Sequence, residues 1–320
     1  MVQVFTRPSR FNMLTVSENN IVHIMASILI GLLSIIIILR SFQTPKKKPV
    51  DSTAGFLLLP NRSTEPSKYA YEIFCIRYSV VWMASFAIIV VFQLYERFSK
   101  NAYLIVLVTL SLPFILQPIL YPLGPDVKRK LTNRYAFKAN VFIAVYSFIG
   151  NYWFTHYFYN VLKAQYTFPS HRLNDVPICL YFATHFYFSS YHTFSNCVLR
   201  YSERKYESGV QRTVLYVGVI LVLSYFTAFM ETLTISSFPY YSFEDPVMAY
   251  VAGSAFYGIY FIFSFPMFYQ FDNYIDNRKT KKGVTVTVWD TVVYASGCGM
   301  LILTTLDFVR LLLGIKLCVA

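Results

Sequence analysis

Long, uninterrupted apolar runs constrain this chain more than any other feature of its sequence. The first run, Ile21–Leu39, has about the 20 residues that an α-helix needs to cross the roughly 30 Å hydrocarbon core of a bilayer. Comparable runs recur along the chain, and Pro, Lys and Arg are frequent in the breaks between them. A helix satisfies all of its backbone hydrogen bonds internally, which lipid requires of a spanning segment. The sequence therefore predicts an all-α, polytopic helical bundle embedded in a membrane.

The composition agrees with this prediction. Of the 320 residues, 56% are hydrophobic and only 14% are charged, whereas a soluble globular domain carries about 25% charged residues. We expect about eight transmembrane helices, at roughly 20–40, 71–93, 102–122, 138–160, 178–199, 212–236, 247–268 and 288–313.

Basic residues are distributed unevenly between the two sides of this predicted topology. The side that includes the loop after the first span receives 19 of the 28 Lys and Arg residues. Short cytosolic loops of membrane proteins collect such residues, so we predict that the basic loops are cytosolic and that both termini lie on the opposite side. The net charge of +12 follows from this asymmetry and does not indicate a nucleic-acid partner.

The cysteines do not suggest a disulfide framework or a metal site. Five cysteines lie mostly within apolar runs, and none forms a Cys-x-x-Cys pair. Zinc sites and disulfide-rich domains have recognisable cysteine spacings that are missing here. We therefore predict no metal site.

Four ionisable residues of the predicted spans share a similar depth in the membrane. His156, His185, Glu231 and Asp307 each lie within a few turns of the same side, on the fourth, fifth, sixth and eighth spans. Ionisable groups are costly in a bilayer and mark functional sites by default. We predict that these four residues contribute catalytic groups to one pocket.

Structural explanations compete with the functional one at several positions. Asp307 and Arg310, three residues apart, can form an ion pair on one helix face. His192 lies deeper than the predicted layer and can serve as a hydrogen-bonding residue of the core. Tyr152, Trp153 and Tyr157 are candidate substrate-contacting residues because they lie beside the predicted position of His156. His192 completes the predicted substrate-binding set.

The predicted pocket suits acid–base chemistry on a lipid. A carboxyl group in an apolar site without a cationic neighbour favours its neutral form, and a neutral acid can protonate a weak base. Aromatic faces stabilise a nearby cation, and a dry pocket protects a reactive intermediate from water. These properties fit acid-initiated isomerisation of a lipid, and they fit a proton-coupled transporter or a receptor as well.

Several long stretches carry a resemblance to a known family. They include GNYWFTHYFYNVLKAQYTFPSHRLNDVP, THFYFSSYHTFSN, LSYFTAFMETLTISSFPYYSFEDPVMAY, YGIYFIFSFPMFYQFD and LTTLDFVRLLLG. These stretches resemble the cycloeucalenol cycloisomerases, the cyclopropyl sterol isomerases of plant-type sterol synthesis. The resemblance extends from about Phe56 to Gly314. It therefore divides the chain into residues 1–55, with an additional anchor helix, and a sterol isomerase-like membrane domain at 56–320.

The resemblance implies an enzyme that opens the 9β,19-cyclopropane ring of cycloeucalenol and gives obtusifoliol. It also implies a multi-pass protein of the endoplasmic reticulum membrane, with a cyclopropyl sterol as substrate, the lipid bilayer as surroundings and no cofactor. Our hypothesis assigns proton donation to Glu231, and proton uptake to His156 or His185. The alternatives are a membrane sterol or lipid transporter or receptor, and another sterol double-bond isomerase.

Overall fold

Eight long α-helices account for most of this computed structural model, which describes residues 18–46, 57–160, 164–236, 238–243, 249–275 and 286–314. The helices are α1 (Glu18–Ser41), α2 (Pro66–Val91), α3 (Lys100–Leu120), α4 (Tyr135–Asn160), α5 (Ile178–Lys205), α6 (Val210–Ser236), α7 (Ser254–Ile275) and α8 (Val288–Leu312). A π-helical turn, Ala249–Gly253, precedes α7. The prediction of an all-α membrane bundle with about eight helices is confirmed.

Six of the described helices, namely α1, α2, α3, α6, α7 and α8, are long and apolar enough to cross a membrane. The remaining two, α4 and α5, have the length of a span but more polar sequences. Helix α5 can carry polar residues because it packs on α2, α3, α4, α6 and α7, and so meets protein on most sides. Its buried polar side chains include Ser189, Ser190, His192 and Asn196.

Helix α1 lies at the periphery of the bundle. It packs mainly on α6, and most of its described apolar side chains are exposed, as expected for a helix surrounded by lipid. Leu39 of α1 lies so close to Gly218 of α6 that a Cβ atom on that glycine would come within 2.2 Å of the leucine Cδ1. The missing side chain of Gly218 thus lets the two helices approach.

The described residues also contain four short strands, which the sequence analysis did not predict. They are β1 (Ala164–Tyr166), β2 (Arg172–Leu173), β3 (Val176–Pro177) and β4 (Tyr241–Phe243). Strands β2 and β3 form a hairpin in the α4–α5 connection, while β1 pairs antiparallel with β4 from the α6–α7 connection. We call the β1–β4 pair the lid and the end of the bundle that carries it the lid end.

The opposite end of the bundle contains a buried ion pair. Arg200 of α5 binds both carboxylate oxygens of Glu72 on α2, at 2.9 and 2.6 Å, and also donates to the backbone carbonyl of Leu58 at 2.7 Å. One turn further along α5, Arg204 binds Glu65 and the carbonyl of Leu59. These contacts fasten the segment before α2 to the end of α5.

Candidate active site

A cavity of about 820 Å³ occupies the half of the bundle nearer the lid. Side chains of α2, α3, α5, α6 and α7 form most of its wall, together with Gly150, Asn151 and Phe158 of α4. The lining is mostly aromatic and aliphatic, with few polar groups. Cavities of this size and character hold small organic ligands.

Glu231 of α6 is the chemically distinctive residue of this cavity. Among the described lining residues, it is the only Asp, Glu, His, Lys or Arg. The hydroxyl of Tyr257 on α7 donates to Glu231 Oε2 at 3.0 Å, and Tyr191 of α5 also hydrogen-bonds the carboxyl group. A donor at Oε2 leaves Oε1 to carry the acid proton when the carboxyl group is neutral. Glu231 is thus held in position and can act as an acid.

Aromatic rings surround the region next to the acid. Tyr187 and Tyr191, one turn apart on α5, stack in parallel with ring centroids 6.1 Å apart, and the ring of Tyr187 lies 4.8 Å from the indole of Trp82. The indole Nε1 of Trp82 donates to Ser190 Oγ at 3.0 Å, which fixes the plane of the ring. Trp and Tyr faces attract cations, and Trp does so most strongly. The cavity therefore combines an acid with fixed aromatic surfaces.

The lid closes the cavity at its outer end with a layer of aromatic side chains. Phe158 stacks on Tyr166 of β1 with a centroid distance of 4.3 Å, and Tyr166 contacts Tyr241 of β4 edge-on at 5.1 Å. Phe168 contacts both tyrosines. All four residues line the cavity, so the pairing of β1 with β4 covers its end with apolar surface.

The two predicted histidines with described side chains lie outside the lining of the cavity. His185 Nε2 lies 2.9 Å from Asn140 Oδ1. His192 Nδ1 lies 2.7 Å from the carbonyl oxygen of Phe188, and its Nε2 lies 2.9 Å from Ser264 Oγ. Both rings are buried and hydrogen-bonded within the core. The structure does not bring them to Glu231, and their functional roles stay predictions.

The other predicted residues are distributed as follows. Asp307 is half exposed and forms an ion pair with Arg310 at 3.0 Å, the alternative that the sequence left open, and it does not line the cavity. Tyr152 stacks on Phe148, Trp153 is exposed, and neither lines the cavity. His156 and Tyr157 belong to α4, but their side chains lie outside the described part of the structure.

Comparison with known proteins gives one informative match. The chain is 38% identical over 270 residues to a protein of Arabidopsis thaliana named cycloeucalenol cycloisomerase, and the match covers 82% of this chain and 91% of that protein. The chain belongs to the cycloeucalenol cycloisomerase family. It is therefore an isomerase. No family model and no solved structure matches the chain.

The sequence analysis of this cycloeucalenol cycloisomerase family member did not predict several residues that line the cavity. Those next to the acid or its aromatic surroundings are Tyr257, Tyr191, Tyr187 and Trp82. The chain has 27 tyrosines and 30 phenylalanines, so a single aromatic residue carries little information. One available signal was the spacing of Tyr187 and Tyr191, which places both on one face of α5.

Proposed function

We propose that this chain opens the 9β,19-cyclopropane ring of a cyclopropyl sterol and converts cycloeucalenol to obtusifoliol. The observation that supports it best is a single carboxylic acid, Glu231, among the described residues of a large apolar and aromatic cavity. The family relationship supplies the substrate class, since the related plant protein is named for cycloeucalenol. The reaction needs an acid strong enough to protonate a strained carbon–carbon bond, and it needs protection from water.

The proposed reaction begins at the carboxyl group of Glu231. Its proton passes to the methylene carbon of the cyclopropane, C19, and the electron pair of the C9–C19 bond forms the new C–H bond of the methyl group. Positive charge develops at C9. The electron pair of the C8–H bond then becomes the C8–C9 double bond, and the C8 proton passes to a base. Atoms and electrons balance without an oxidant or a reductant.

Two groups are candidates for the base. One is the carboxylate of Glu231 itself, which the first step generates inside the cavity and which Tyr257 and Tyr191 stabilise by hydrogen bonds. The other is His156, which lies on α4 between the lining residues Asn151 and Phe158. His185 is a less favourable acceptor because it lies outside the described lining of the cavity, with its Nε2 held by Asn140 Oδ1 in the core.

The aromatic surfaces and the lid have distinct parts in this proposal. The faces of Trp82 and Tyr187 stabilise the charge at C9, a role that the sequence had suggested for Tyr152, Trp153 and Tyr157. The aromatic lid excludes water, which would otherwise capture the cation and give an alcohol.

The test is expression of the chain in a host that lacks this isomerase and accumulates cycloeucalenol, followed by gas chromatography of the sterols. Wild-type protein should produce obtusifoliol, and Glu231→Gln should not. The matched control is Glu207→Gln, which makes the same change at an exposed site beyond the end of α5. Near-normal conversion by Glu231→Gln at equal protein level would exclude Glu231 as the acid.

The same experiment separates the alternative functions. A wild-type chain that leaves cycloeucalenol unconverted but alters its distribution would be a transporter or receptor. Conversion of a different sterol would indicate another double-bond isomerase. Asp307→Asn tests the other predicted acid, and loss of conversion there alone would transfer the acid role to Asp307.

The proposal also includes the membrane in which the protein lies and its orientation there. We place the protein in the endoplasmic reticulum with its basic loops in the cytosol, because such loops are retained on the cytosolic side. Residues 1–55 then form an added anchor segment and residues 56–320 the catalytic domain. Among the described cavity-lining residues none comes from α1, which supports this division. Glycosylation of Asn61, the one Asn-x-Ser/Thr site, would contradict this orientation.

A further inference from the structure

The cavity is open on one side of the bundle. Among the described residues that line the cavity, four large apolar ones are also between 41% and 49% exposed. They are Met83 and Val90 of α2, Phe194 of α5 and Phe226 of α6. Since the cavity is not fully enclosed, these exposed apolar lining residues border its opening. We call these four residues the lateral mouth.

The arrangement of three helices explains why the mouth exists. Helices α2 and α6 both pack on α5, whereas extensive packing between α2 and α6 themselves is not found in the described residues. Helix α5 therefore forms the bottom of the gap between α2 and α6, and Phe194 of α5 lies there. Helices can border such a gap in lipid because their backbone hydrogen bonds are satisfied internally.

The mouth faces hydrocarbon rather than water. Met83 and Val90 lie within the span Pro66–Val91, and Phe226 lies within the span Val210–Thr234. Less exposed apolar neighbours, such as Phe86, Leu223 and Met230, continue the wall inward. A molecule dissolved in the bilayer can pass such an opening without entering water.

The four mouth residues are apolar, and Ser195 and Thr227 beside them carry only small hydroxyl groups, whereas the carboxyl and phenol groups of the cavity belong to other lining residues. The carboxyl group of Glu231 and the hydroxyl groups of Tyr191 and Tyr257 form one hydrogen-bonded cluster, and Tyr166 and Tyr241 lie at the lid. A sterol has one hydroxyl group at one end and an alkyl chain at the other. The apolar mouth matches the alkyl end, and the tyrosine-rich interior matches the hydroxyl end.

We propose that the sterol enters from the bilayer through the lateral mouth and reacts with its alkyl side chain lying between Met83 and Phe226. The inference rests on the proposed function for the identity of the ligand. It adds the route of entry and the orientation, with the hydroxyl end toward the lid and the ring system beside Glu231.

The kinetic test uses proteoliposomes that contain increasing mole fractions of cycloeucalenol. Met83→Trp narrows the mouth and should raise the half-saturating mole fraction about fivefold to tenfold, while the maximum rate changes little. Val81→Trp is the matched control, because Val81 lies on the same helix and is similarly exposed but does not line the cavity. Equal effects of the two substitutions would overturn the inference.

A second measurement does not depend on turnover. The background is the double variant Glu231→Gln, Cys318→Ser, in which the four other native cysteines are buried. Met83→Cys is introduced into this background. A long-chain N-alkyl maleimide dissolved in the bilayer should label Met83→Cys several-fold more slowly when cycloeucalenol is present. Labelling of Val81→Cys should not change.

A cyclopropyl sterol that lacks the C17 side chain tests the orientation and should protect Met83→Cys less than cycloeucalenol does. Equal protection by the two sterols would overturn the orientation, and no protection by cycloeucalenol would overturn the mouth. Protection at Met83 without conversion by the wild-type chain would instead refute the proposed reaction and leave the mouth as a sterol site.

Discussion

Replacing Arg200 by Met should reduce the free energy of unfolding by about 3 to 5 kcal/mol, because it removes one partner of a buried ion pair. The side chains of Arg200 and Glu72 are only 3% and 1% exposed. The guanidinium group binds both carboxylate oxygens, at 2.9 and 2.6 Å, in the bidentate geometry that gives the strongest such pairs. After the substitution the carboxylate of Glu72 would remain buried without this partner.

Two neighbours of the pair refine this magnitude. Lys68 lies one turn before Glu72 on α2 and is fully buried, and its Nζ lies 3.7 Å from Glu65 Oε1. Its charge should keep the loss toward the lower end of the range, and Glu65 remains its partner when Arg200 or Glu72 is replaced. The carbonyl of Leu58 would lose a donor at 2.7 Å, which adds about 1 kcal/mol. Removing both charges, with Arg200→Met and Glu72→Leu together, should therefore restore most of the stability except the contribution of the Leu58 contact.

Thermal unfolding in detergent can be followed with a dye that fluoresces on reacting with thiols, because Cys75, Cys179, Cys197 and Cys298 are buried in the fold. The dye reports their exposure on unfolding, and Cys318→Ser removes the remaining thiol.

Arg204→Met provides the comparison for Arg200→Met. Arg204 also binds a carboxylate and a backbone carbonyl, but it and Glu65 are 23% and 26% exposed, so the loss should be nearer 1 kcal/mol. The reasoning fails if Arg200→Met and Arg204→Met lower the melting temperature equally, or if the double variant with Glu72→Leu is no more stable than Arg200→Met alone.

Three further outcomes follow from the geometry. Tyr257→Phe removes the 3.0 Å hydrogen bond to Glu231 and should lower turnover about fivefold to tenfold, the equivalent of ~1 kcal/mol, in a sterol conversion assay at matched protein level. His156→Phe should lower turnover if His156 accepts the C8 proton, whereas unchanged turnover would leave the Glu231 carboxylate as the acceptor. Gly218→Leu should displace Leu39 and lower the melting temperature, yet conversion at 25 °C should persist because α1 contributes no described residue to the cavity.

The length and spacing of apolar runs were sufficient to predict the helices. The predicted span 102–122 corresponds to α3 at Lys100–Leu120, and the predicted span 288–313 to α8 at Val288–Leu312. Lipid allows few backbone conformations, so an apolar run of about 20 residues has one main structural interpretation. The two-residue strands β2 and β3 had no comparable signal, because pairing of short strands depends on contacts between distant parts of the chain.

The position of Glu231 could be predicted for a similar reason. It is an acid within an apolar span, without a basic residue one turn away, and such a group must face protein or a cavity rather than lipid. The structure places it in the lining of the cavity. What the sequence could not supply was its partner, since Tyr257 lies on a different helix.

The contacts of His185 could not be predicted from its depth in the membrane. The number of residues from the end of a span determines the height of a side chain in the membrane, because each residue rises 1.5 Å. Height does not determine which neighbouring helices the side chain meets, since that depends on how each helix is rotated in the bundle.

The sequence places His185 at the height of Glu231, but its Nε2 lies 2.9 Å from Asn140 Oδ1 of α4. Tyr191 lies on the same helix and does reach the Glu231 carboxyl. Tyr187 and Tyr191 are four positions apart, close to one full turn, whereas His185 precedes Tyr191 by six positions, which is about 120° short of two full turns. Rotation of this size is sufficient to direct one side chain of a helix into the cavity and another into the solid core beside it.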